Sequence, residues 1–141
     1  MDPSRTRDPT LTVAEVAEIV GISAPLLHSR LARSAGLNAG EKIGGLLLFS
    51  ARDAFMLAAA DALIAAGWPV KSANGAARTI ASASEPGTDV LVSRRLGAER
   101  YELIAAPLAD IGRHLGEAAT VIAPAAIWRR VVERATKILE N

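Results

Sequence analysis

Residues 11–31 read Leu-Thr-Val-Ala-Glu-Val-Ala-Glu-Ile-Val-Gly-Ile-Ser-Ala-Pro-Leu-Leu-His-Ser-Arg-Leu. Thr12 with Glu15 three residues on forms a capping box: each side chain satisfies a backbone N–H that the first helical turn leaves free. Val13, Val16, Ala17 and Val20 follow at helical spacing, and Gly21 ends the helix because it tolerates a left-handed backbone. Ile22 plugs the turn. Ser23 is an N-cap, and Pro25 is tolerated in the first turn of a second helix that runs to about Ala35. Ala17 is small enough for two helices to cross closely, and Leu27 with Leu31 gives the second helix an apolar side. The segment therefore predicts two short helices meeting at a tight turn, with the outer face of the second left free.

The pattern continues outward from there. Gly36, Gly40, Gly44 and Gly45 punctuate a stretch that reads as a β-hairpin, with strands 41–43 and 46–49 and Gly44-Gly45 as a two-residue turn. Ser50 with Asp53 opens a third helix through Ala66, stopped by Gly67. Trp68-Pro69 makes a corner, and an alanine-rich helix spans about 71–83. Ser84 to Thr88 reads as a linker. Beyond it, Val90 to Arg94 and Tyr101 to Ala105 alternate like strands around a turn at 96–99. Residues 107–119 give no clear pattern beyond a short helix near 110–115, Thr120 to Ala123 reads as a third strand, and Pro124 starts a final helix to about Glu140.

The reading is α+β, mainly α. An N-terminal winged helix-turn-helix is followed by a small β-hairpin of two or three strands and a long C-terminal helix. Three segments result: a flexible leader over 1–10, a DNA-binding domain over 11–83, and a dimerising module over 84–141.

Residues 11–83 resemble the DNA-binding domain of the MerR family and its excisionase-like relatives. The resemblance rests on the helix-turn-helix spacing and the glycine-rich hairpin. It also rests on Phe49-Ser50-Ala51-Arg52-Asp53, which matches an aromatic-Ser-x-x-Asp start of the following helix, and on Leu63-Ile64-Ala65-Ala66-Gly67 at its end. Two features depart from that family. His28-Ser29-Arg30-Leu31 stands where its members carry Arg and then Tyr residues, and the long dimerising coiled-coil helix is missing. The resemblance implies DNA binding and leaves the regulatory logic open. The expected function is a sequence-specific DNA-binding protein, a dimeric transcriptional regulator that reads the major groove with residues 24–35.

Charge adds a local signal. Formal net charge is only +1. Between Ile22 and Arg52, however, Arg30, Arg33, Lys42 and Arg52 oppose Glu41 alone. This positive cluster falls where the motif would meet phosphates, and it predicts binding that weakens steeply with salt. The expected DNA contacts are Ser23, Pro25, His28, Ser29, Arg30, Arg33, Lys42 and Arg52, with Arg30 or Arg33 reading guanine or gripping phosphate.

The last helix carries Ile127, Trp128, Val131, Val132, Ala135, Ile138 and Leu139, a stripe wider than one hairpin covers. The expectation is core packing against the second hairpin for part of the stripe and a homodimer interface for the rest, since one helix-turn-helix reads a half-site.

Other chemistry is not indicated. Cysteine is absent, which removes disulfides and thiolate metal sites. His114 has no second His at ligand spacing, so no metal site is expected. No Ser-His-Asp order, paired carboxylates or phosphate-binding glycine loop appears, so neither an enzyme nor a cofactor is expected. The run from Ala54 to Gly67 is broken by Asp61 and too short to span a bilayer, and no signal peptide opens the chain; a cytoplasmic location is expected. Two alternatives stand beside the regulator: an excisionase-like or phage packaging architectural factor, and a protein-interaction adaptor that keeps the fold without using it on DNA. A small-molecule effector is unknown.

Overall fold

The computed structural model describes residues 5–33, 39–82, 89–98, 100–114 and 119–141. Among the described residues, five α-helices and two antiparallel sheets make an α+β protein: α1 (Val13–Val20), α2 (Ala24–Arg33), β1 (Glu41–Ile43), β2 (Leu46–Leu48), α3 (Ala51–Ala65), α4 (Val70–Ser82), β3 (Val90–Gly97), β4 (Arg100–Ala106), β5 (Ala119–Ile122) and α5 (Pro124–Leu139). The expected end of α2 near Ala35, the linker over 84–88 and the residues Glu99 and Leu115 lie outside the described residues.

The caps form as their residue types require. Glu15 N donates to Thr12 Oγ1 at 3.3 Å and Thr12 N donates to Glu15 Oε1 at 2.9 Å. Ser50 and Asp53 make the same reciprocal pair at 3.0 and 3.1 Å at the start of α3. Gly21 adopts φ +87°, the left-handed backbone that lets the chain leave α1 and enter α2 within three residues. Gly44 and Gly45 both have positive φ, which closes β1 onto β2 with Ile43 opposite Leu46.

α3 organises the body. Ala54 to Ala60 are buried without a break, so this helix is apolar on every side. Such a helix must be surrounded. α1, α4 and α5 all pack on it. One continuous core joins Leu11, Val16, Ile19, Leu27, Phe49, Phe55 and Leu63 with Ile127, Val131 and Ala135. Phe55 meets the edge of Trp128 at 5.3 Å between ring centroids, a T-shaped pair that ties α3 to α5.

The final helix, which follows β5 directly, packs on α1 and α3 and joins their core. The segment before Leu11, where it is described, also bonds to the body. Thr6 is buried, its carbonyl accepts from Arg52 N at 3.0 Å, and Thr10 N and Leu11 N both donate to Phe49 O.

The second sheet has the order β4-β3-β5, all antiparallel. The third strand thus pairs with β3 on the side away from β4. Arg94 faces Glu102 across the ladder, and the two side chains bond at 2.7 Å. The sheet is moored to the helices at the corner after α3. Trp68 Nε1 donates to Ser93 Oγ at 2.6 Å in a buried bond, the Trp68 and Tyr101 rings lie 5.2 Å apart, and Tyr101 Oη donates to Gly67 O at 2.7 Å. The unpatterned stretch before β5 holds a 3-10 turn at Leu108–Arg113, packed against β3.

Candidate nucleic-acid interface

α1, the Gly21 turn, α2 and the β1–β2 hairpin are the elements that could face a nucleic acid. α2 is fixed at its start by Ser23, whose Oγ accepts from Leu26 N at 3.3 Å. Leu27 is fully buried against the core. A helix advances about 100° per residue. With Leu27 inward, Pro25, His28 and Ala32 fall on the outer side; all three are exposed, and Ser29 beside them is half-buried. The hairpin stands out from the body. Glu41, Lys42, Ile43 and Leu46 are exposed, and a Cβ added to Gly44 or Gly45 at its tip would meet nothing within 4 Å.

The expected DNA contacts therefore divide. Ser23, Pro25, His28 and Ser29 line the outward side of α2 and its entry, and Lys42 projects from β1. Arg33 belongs to α2, but its side chain lies outside the description.

Arg30 and Arg52 are engaged within the chain. Arg30 is three residues from Leu27 and shares its inward side. Its Nη1 meets Asp61 Oδ1 of α3 at 2.7 Å, and its side chain is only 16% exposed. Arg52 Nη1 donates to Ala81 O of α4 at 3.4 Å, and the guanidinium sits 5.0 Å from the centre of the Trp128 ring. That half-buried cation stacks between helices in place of facing a phosphate. The charge excess counted along the sequence is thus larger than the charge this surface presents.

Most of the expected dimer stripe is covered by the chain itself. Ile127, Val131 and Ala135 are buried in the chain's own core, 7%, 0% and 0% exposed. Trp128, Val132 and Ile138 are half-buried, with Trp128 held between Phe55 and Arg52. Leu139 alone of the seven is exposed. The physical reason is α3: being apolar all round, it needs a cover on the side that α1 and α4 leave open, and α5 provides it.

Two residues with clear roles escaped the sequence reading. Asp61 was legible only as a break in an apolar run. A carboxylate in such a helix needs a partner, and that requirement was the available signal. Arg134 reaches from α5 to donate to Ile19 O at 2.7 Å, placing a cation at the C-terminal end of α1, which has no basic residue of its own there. No pattern in the sequence announces that contact, because 115 residues separate the partners.

Among the described residues no helix is long and apolar enough to cross a membrane, and no three His, Asp or Glu side chains gather as metal ligands would. The chain matches no model of a known protein family and no curated protein.

Proposed function

We propose that this protein binds duplex DNA as a winged helix-turn-helix, with α2 in the major groove and the β1–β2 hairpin as the wing beside it. The observation that carries this reading is the outward face of α2. A capped helix, a left-handed glycine turn and a second helix are followed along the chain by an exposed hairpin, and Pro25, His28 and Ser29 are left facing outward. The MerR-like and excisionase-like order of motifs supports the same placement, and with it a role in transcriptional regulation.

With Arg30 and Arg52 turned inward, few cations remain for phosphates. Affinity should fall with rising salt, with a log–log slope of about −2 to −4 per chain and no steeper. Fluorescence anisotropy on duplexes selected from a random pool measures this. Lys42→Ala should weaken binding to all sequences alike and reduce the slope by about 1.

A protein partner is the second reading. It is favoured by Leu26, Ile43 and Leu46, which are 41%, 44% and 64% exposed on α2 and the hairpin. Pairing of two copies on a symmetric DNA site stays part of the regulator reading.

A further inference from the structure

We propose that Arg30 and Asp61 form a clamp that sets the orientation of α2 on the body, so that both act on DNA binding from a distance as positioning residues. The proposal rests on α2 being the groove-facing helix.

α2 packs chiefly on α1. Leu27 is its one fully buried side chain among those described, and Ala24 and Leu31 pack partly buried against the core. Apolar contacts of this kind hold the helix down without fixing its roll as a directed hydrogen bond does. Arg30 lies one turn further along on the same side. Its bond to Asp61, at 2.7 Å and across 31 residues of sequence, adds a directed attachment to a different helix. With Arg30 16% and Asp61 33% exposed, the pair is partly shielded from solvent and forms a short, charge-assisted hydrogen bond. Asp61 stands on α3, the most completely buried helix, so the clamp refers α2 to the rigid part of the fold. A point of attachment here decides which residues face outward. Arg30 is two residues from His28, about 200° around the helix, so holding Arg30 inward holds His28 outward.

A guanidinium that read a base would have to leave Asp61. The two roles are therefore separable by experiment. The variants are Asp61→Asn, Arg30→Gln and the double variant in the full chain. Two readouts are used: hydrogen exchange of the α2 amides in the free protein, and anisotropy on duplexes selected by the wild type. Each single variant should speed α2 exchange about five- to tenfold relative to α3, and the double variant no more than either single one. Each should weaken DNA binding several-fold while leaving the salt slope unchanged. Unchanged α2 exchange in Asp61→Asn overturns the clamp. Weakened binding in Arg30→Gln alone, with a slope smaller by about 1, overturns it too and makes Arg30 a direct contact. If the wild type binds no duplex, the DNA reading fails by itself, and the exchange measurement still decides whether the clamp exists. Should Arg30→Gln be too unstable to purify, Asp61→Asn alone carries both readouts.

Discussion

Three arginines do structural work that their charge alone would not suggest. Arg30 bonds Asp61 of α3, Arg52 lies over Trp128 of α5 and bonds the end of α4, and Arg134 bonds the end of α1. Each joins helices distant in sequence. A guanidinium suits this use because its long apolar stem packs while its planar head donates in several directions. Arg134→Ala should cost about 1 kcal/mol through the lost bond to Ile19 O, whereas exposed Arg129→Ala should stay within about 0.5 kcal/mol. Urea unfolding of the two variants makes the comparison. Trp68→Phe keeps an aromatic ring beside Tyr101 but strands the buried Ser93 hydroxyl. It should destabilise by about 1–3 kcal/mol, again read from the unfolding midpoint. At this scale the caps were legible in full, because Thr12 with Glu15 and Ser50 with Asp53 act within one turn of chain. The direction of Arg30 was legible too, since three residues separate it from Leu27, but counting charge along the sequence ignores which side of the helix each charge occupies.

Among the elements, α3 and α5 carry the main lesson. The apolar run that begins at Ala54 was visible, as was the wide stripe on α5 from Ile127 to Leu139. Their mutual fit was not, because a stripe does not state whether it meets its own chain or a copy. The deciding fact is that α3 has no polar side between Ala54 and Ala60, so its demand for cover exceeds what α1 and α4 supply. Val131→Asp tests this directly. It puts a carboxylate at a fully buried position, at a cost of several kcal/mol if charged and unpaired. The expected result is loss of the cooperative unfolding transition in circular dichroism. A folded variant whose only change is a smaller sedimenting mass would return α5 to the role of a dimer interface. The second sheet shows the same division. Its strands alternate visibly, but the placement of β5 beside β3 is a long-range choice that local alternation does not contain.

At the scale of the whole molecule, one core holds α1, α3, α4 and α5 together with Leu27 of α2 and Ile122 of β5, and the second sheet is bonded to the helices at the Gly67-Trp68 corner. That distribution leaves the outer residues of α2, Pro25, His28 and Ala32, and residues 41–46 of the hairpin exposed. The central claim is that the protein meets duplex DNA through this outer face of α2. The most direct measurement compares wild type with the double variant His28→Glu, Ser29→Glu. Both proteins are titrated at low salt against duplexes that the wild type selects from a random pool, after circular dichroism has shown equal folding. Two carboxylates on that face would repel phosphates without touching Leu27 or Arg30. The account predicts measurable wild-type binding that weakens as salt rises, and a loss of at least about tenfold in the variant. Equal binding by the two proteins, or no binding of any duplex by the wild type at low salt, would contradict it.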